Sequence, residues 1–91
     1  MTSYNRSNVG RLTMFQVSMR YDSIFNAQDA LRKVLSREML HSAGVGPCQD
    51  VDGKVIPGEF QVWVSVYTAD AGERAYEVLR QFDPIGGEFA A

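Results

Sequence analysis

The stretch that decides the fold is EFQVWVSVYT, residues 59–68, in which apolar and polar side chains alternate. One face of it carries Phe60 and three valines, and the other carries Gln61, Trp63, Ser65 and Tyr67. A period of two is typical of a strand with one buried face. The stretch therefore predicts a central strand whose valine face lies in the core and whose Trp63 face does not.

A second alternating stretch, residues 12–20, lies nearer the start of the chain. Phe15, Val17 and Met19 share one of its faces, and the other face carries Met14, Gln16, Ser18 and Arg20. The same alternation predicts a second half-buried strand. If the two strands are neighbours, their apolar faces form one continuous side of a sheet.

Two helices are predicted, one between these strands and one after them. The first is expected to be capped by Asn26, to reach about His41 or Ser42, and to end before Gly44 and Gly46-Pro47. Its apolar positions are Ala27, Ala30, Leu31, Val34 and Leu35. The second is expected to begin at the capping-box pattern of residues 70–73 and to stop at residues 83–84.

The remaining segments complete the order of elements. Asp52-Gly53 predicts a tight hairpin turn after a short strand, Pro57-Gly58 an interruption, and residues 85–91 a short edge strand. The order is β-α-β-β-α with a final β, which predicts a ferredoxin-like α+β sandwich, an antiparallel sheet with two helices on one face. We expect residues 1–11 to form a flexible tail and residues 12–91 a single domain.

Charge and composition narrow the function classes and the compartment. Nine basic against eleven acidic residues give a net charge of −2, without the positive excess typical of nonspecific nucleic-acid binding. The N-terminal residues show no apolar signal-peptide segment, and no stretch has the length of a membrane span. The single cysteine, Cys48, fits a reducing compartment. We therefore expect a cytoplasmic protein that has no membrane partner.

Catalytic and metal chemistry find little support in the sequence. His41 is the only histidine and Cys48 the only cysteine, so four Cys and His ligands for zinc cannot come from one chain. As a base and a nucleophile, the two residues lack a third group that would orient the base. Asp50 and Asp52 match the first ligand positions of a calcium-binding loop, but the residues at the later ligand positions do not match. We predict no metal and no cofactor, and a non-catalytic function is favoured over an enzyme.

Glu38 is the one charged residue in line with the apolar stripe of the first helix. Two alternatives account for it: the helix has passed the edge of the sheet at this point, or the carboxylate is buried and has a partner. The first is preferred on the sequence alone.

The sheet face without helices is the candidate binding surface, since it carries residue types that are enriched at interfaces. Its candidate residues are Met14, Gln16, Arg20, Gln61, Trp63, Ser65 and Tyr67. The favoured hypothesis is a protein-binding module, an adaptor or inhibitor, that is homodimeric. The alternatives are a small-ligand sensor or ferredoxin-like enzyme with its site at a dimer interface, and binding of single-stranded RNA by the same face. In a further alternative, a chain terminus folds over this face and makes it inaccessible to any partner.

Overall fold

Four strands and two helices make up the part of the chain that the computed structural model describes, residues 14–90. In chain order they are β1 (Phe15–Tyr21), α1 (Ile24–Arg37), β2 (Ser42–Gln49), β3 (Val55–Val66), α2 (Ala69–Leu79) and β4 (Gly86–Ala90), with a short 3-10 helix (Arg80–Phe82) after α2. The predicted tail, residues 1–11, lies outside the described residues.

The four strands form one antiparallel sheet in the order β2-β3-β1-β4. The two central strands are β1 and β3, and their register places Val17 opposite Val64 and Met19 opposite Val62. The predicted ferredoxin-like α+β architecture is confirmed, as is the pairing of the two alternating stretches.

The core lies between the helices and one face of the sheet. Val17, Met19, Val62 and Val64 are fully or almost fully buried there, beneath Ala27, Ala30 and Val34 of α1 and Ala75, Val78 and Leu79 of α2. The three alanines among these helical residues let the helix axes approach the buried face of the sheet closely. Tyr21 is also buried, and its hydroxyl donates a 2.6 Å hydrogen bond to the Leu79 carbonyl.

Helix α1 begins and ends earlier than the sequence predicts. Ser23 is its cap, and its hydroxyl accepts a hydrogen bond from the backbone N–H of Asn26 at 3.3 Å. The predicted cap, Asn26, thus lies inside the first turn. The helix ends at Arg37 because Glu38 takes up an extended backbone conformation, with φ −124° and ψ 147°.

Strand β2 is the short strand predicted before the Asp52-Gly53 turn, but it begins at Ser42 and includes the residues that were expected only to end the first helix. Gly44 and Gly46-Pro47 are poor helix formers, but their pairing with β3 places them in an eight-residue edge strand. Proline is tolerated at a sheet edge, where no second neighbour requires its missing N–H. The strand is longer than predicted because long-range pairing outweighs local propensity.

The hairpin between β2 and β3 forms at the predicted turn. Gly53 has φ +82°, and the Asp50 carboxylate accepts hydrogen bonds from the backbone N–H groups of Asp52 and Lys54. β3 runs from Val55 to Val66, but its register with β2 shifts between the pairs Gln49–Val55 and Pro47–Phe60, so the expected interruption at Pro57-Gly58 takes the form of a bulge within the strand. Gly58, with φ +79°, takes up the backbone irregularity.

The second helix is capped by Thr68 and not by the predicted Asp70–Glu73 box. The Thr68 hydroxyl accepts from the backbone N–H of Ala71 at 3.1 Å. Asp83, with φ 59°, follows the 3-10 helix and turns the chain toward β4. That strand is the predicted edge strand, and the Phe89 ring within it packs against Gly72 of α2.

Candidate functional site

The sheet face away from both helices, here called the open face, presents three rows of paired side chains. Ser65 lies opposite Gln16, Trp63 opposite Ser18, and Gln61 opposite Arg20. The edge strands extend these rows with Ser42, Gly44 and Gly46 on β2 and Gly86, Glu88 and Ala90 on β4. Directly paired residues point to the same side of a sheet. The structure therefore brings five of the predicted site residues together, Gln16, Arg20, Gln61, Trp63 and Ser65, although Ser65 is buried, only 6% exposed, and offers little surface to a partner.

Trp63 lies across the sheet toward β2 and does not stand upright. A β-carbon added at Gly44 would lie 2.5 Å from Cζ2 and 2.7 Å from Cε2 of the indole ring. The ring therefore packs on the bare backbone of Gly44, yet 41% of the residue's surface stays exposed. Glycine at this position is what permits the contact.

Arg20 leans the opposite way, toward β4. Its guanidinium lies over Gly86, where an added β-carbon would collide with Nη2, and Nη1 is 3.8 Å from Glu59 Oε1. Between β1, β3 and β4, a polar depression of about 240 Å³ is lined by Ser18, Arg20, Gln61, Gly87 and Glu88. Glu88 and the two glycines were not among the predicted site residues, because only the pairing of β4 with β1 brings them there.

Tyr67 lies at the end of the sheet, one residue beyond β3. Its ring meets the ring of His41 edge-on at 5.6 Å, and its hydroxyl is 3.3 Å from His41 Nδ1. It also lines a hollow of about 230 Å³ together with Glu38, Met39, Thr68, Ala71 and Arg74. Four residues of extended chain, about 13 Å, separate Tyr67 from Trp63. Met14, half-buried, immediately precedes β1.

Glu38 has a partner on α2. Its side chain is only 10% exposed, and both carboxylate oxygens lie 3.1 Å from Nε of Arg74. The preferred alternative, in which the residue has passed the edge of the sheet, was wrong, because the chain turns back into β2 immediately after α1. The ion pair joins the end of α1 to α2.

His41 and Cys48 do not form a nucleophile pair. They stand at opposite ends of β2, and seven residues of extended strand span about 23 Å. Cys48 is buried, and burial together with the negative charge of Glu59 raises the pKa of its thiol, an effect that Arg20 partly opposes. A raised pKa keeps the thiol protonated and less nucleophilic.

Residues 14–90 contain neither a cluster of metal ligands nor a membrane-spanning helix. No three His, Cys, Asp or Glu side chains of this part of the chain are grouped closely enough to hold a metal ion. Neither of its helices has the length and apolar character needed to cross a membrane.

Comparison with known proteins shows the class of fold. The sequence matches no protein-family model and no curated protein. The fold is similar to that of LarC2, the C-terminal domain of a cyclometallase involved in the synthesis of the NPN cofactor of lactate racemase, in its apo form. The TM-score is 0.62 at 10% sequence identity, and the match covers 84% of this chain but 51% of that one. This chain thus spans about half the length of that structure, and the likeness shows the fold alone.

Proposed function

We propose that this chain is a small, non-catalytic protein-binding module that associates with a second copy of itself through the open face. The observation that carries the proposal is the position of Trp63. The chain's single tryptophan lies on a central strand, 41% exposed, on the side of the sheet away from both described helices. Exposed tryptophan near the centre of a surface is typical of the anchors that contribute most to protein binding.

The residues around Trp63 suit the approach of a second sheet. Most are small, namely Ser42, Gly44, Gly46 and Ser18, with the buried Ser65 beside them. Stacked sheets lie about 10 Å apart, so the outer face of an indole that lies flat on one sheet can contact side chains of the opposite sheet. In a two-fold dimer the same patch meets itself, and the exposed face of each Trp63 ring would pack against the partner's open face.

The size of the face sets the expected affinity. The four strands are separated by three gaps of about 4.8 Å and pair over about 20 Å of their length. The projected area of the open face is therefore roughly 300 Å². A standard-size interface buries about 800 Å² on each partner. We therefore expect weak association, with a dissociation constant in the micromolar range.

Charge on the open face favours protein over RNA as the partner. Arg20 is accompanied there by two carboxylates, Glu59 and Glu88. Phosphate-driven binding needs an excess of basic groups. A different protein as partner, with this chain as its adaptor or inhibitor, would use the same Trp63 anchor. A cytoplasmic location remains our expectation, supported by the free, buried Cys48.

Sedimentation velocity over about 1 to 500 µM protein tests the proposal, a range that brackets micromolar affinity. The matched control is Phe25→Ala, which removes another exposed aromatic, 74% exposed, at the start of α1. The native chain and Phe25→Ala should dimerise alike, and Trp63→Ala should dimerise at least tenfold more weakly with an unchanged circular dichroism spectrum. Tyr67→Ala should have the smaller effect. A native chain that stays monomeric throughout would refute the proposal.

A further inference from the structure

The polar depression on the open face is a candidate ligand site that is separate from the Trp63 contact. Its volume of about 240 Å³ is below the roughly 300–1,000 Å³ of pockets for drug-sized ligands, so it suits a small molecule. Every side chain that lines it is polar or charged: Ser18, Arg20, Gln61 and Glu88. A ligand for this place must therefore match hydrogen-bonding groups and charges.

Two opposite charges lie across the depression. Arg20 pairs with Gly86, and Glu88 pairs with Ser18, so the two charged residues are diagonal neighbours on β1 and β4. Diagonal side chains on one face are about 7–8 Å apart at their bases. Glu88 forms no ion pair with any residue in the range 14–90, and the guanidinium of Arg20 approaches Glu59 only to 3.8 Å. The Glu88 carboxylate is thus unpaired within this range, whereas the Arg20 guanidinium has one long ion pair, with Glu59, that a ligand would share.

The arrangement discriminates between classes of ligand. A simple anion that approaches Arg20 would be repelled by Glu88 and Glu59, and a simple cation that approaches Glu88 would leave Arg20 without a new partner and be repelled by it in part. A molecule with both charges satisfies both side chains. Ser18 and Gln61 supply neutral hydrogen-bonding groups beside them.

We infer that the depression binds a small zwitterion of the size of an α-amino acid. Its carboxylate accepts hydrogen bonds from Arg20 and Ser18, and its ammonium group donates to Glu88. Gly86 contributes by leaving the space in which the guanidinium lies across β4. The inference concerns the monomer, since the depression lies on the same open face as Trp63 and self-association through that face would cover it.

Titration of the ¹⁵N-labelled chain, followed by NMR at a concentration at which sedimentation shows the chain to be monomeric, tests the inference. The probes are the standard amino acids, one at a time, with acetate and methylammonium as single-charge controls. At least one amino acid should give saturable shifts at the amides of Ser18, Gln61, Gly87 and Glu88, with at least tenfold higher affinity than either control. Equal binding of acetate, or no saturable shift with any amino acid, would overturn it.

Charge-removing variants locate the site. Arg20→Gln and Glu88→Gln should each weaken binding at least tenfold, and the controls Arg32→Gln and Glu77→Gln, which alter exposed helical ion pairs, should not. Trp63→Ala should retain the ligand, so a failure of association and a failure of ligand binding are distinguishable. Unchanged binding by both Arg20→Gln and Glu88→Gln would place the ligand elsewhere and refute the inference.

Discussion

The indole ring of Trp63 and the backbone of Gly44 are in direct contact across two strands, so close that a β-carbon at Gly44 would lie 2.5 Å from the ring. A neighbouring glycine of the same strand, Gly46, has no atom within 4 Å of the corresponding position. The two glycines of β2 therefore differ in what a methyl group would displace.

Gly44→Ala should lift the indole off the sheet, whereas Gly46→Ala should leave it in place. A glycine in a strand usually destabilises it by about 0.5–1 kcal/mol relative to alanine. Gly46→Ala should show that gain with unchanged Trp63 fluorescence. Gly44→Ala should show no gain, a red-shifted emission and weaker association. Identical emission spectra for the two variants would contradict the packing described.

The Glu38–Arg74 pair should stabilise the fold more than an ordinary surface pair. Arg74→Gln leaves the 10%-exposed Glu38 carboxylate without its partner, which we expect to cost about 1–2 kcal/mol in the free energy of unfolding. Adding Glu38→Gln should restore part of the loss. Arg80→Gln is the control and should stay within about 0.5 kcal/mol, because both members of its pair are exposed. Urea denaturation measures all four proteins, and equal effects of Arg74→Gln and Arg80→Gln would count against the prediction.

Tyr21 should make stability fall at alkaline pH. Burial raises its pKa above the ordinary value of 10.0, so the folded state keeps the hydroxyl protonated and bonded to Leu79. The unfolded chain ionises at the ordinary pKa, so this contribution is complete below pH 10 and is lost as pH rises above it. Tyr21→Phe should be less stable by about 1–2 kcal/mol at neutral pH. The difference from the native chain should narrow above pH 10; a constant difference would show that the hydroxyl does not titrate in this way.

Cys48 should react slowly with iodoacetamide in the folded protein. Its burial and raised pKa both reduce the accessible thiolate. Because it is the only cysteine, total alkylation reports on it alone. We expect a rate at least tenfold lower in buffer than in denaturant at the same pH, and equal rates would show that the thiol is open to solvent.

The sheet and its open face follow from the sequence because alternation is a local signal. The positions of Val62, Val64 and Trp63 in the alternating stretch predict which face of the sheet each side chain occupies. The order of helices and strands then permits only a few sheet topologies. Helix ends are less predictable: Ser23 and Asn26 are both good capping residues, and only the backbone of the folded chain decides between them.

The parts that were mispredicted depend on contacts between distant residues. Gly44 and Gly46-Pro47 have weak strand propensity and become a strand through pairing with β3. The partner of Glu38 is 36 residues away, and Glu88 reaches the depression only because β4 pairs with β1. No local pattern in the sequence carries this information.

The fluorescence of Trp63 on dilution tests the central claim most directly, since the chain has no other tryptophan. If the open face joins two copies, dilution from about 500 to 1 µM, through the expected micromolar dissociation constant, should shift the emission to longer wavelength. The shift should follow the loss of dimer mass in sedimentation. An emission maximum that is constant while the dimer dissociates would show that Trp63 lies outside the interface and would contradict the account.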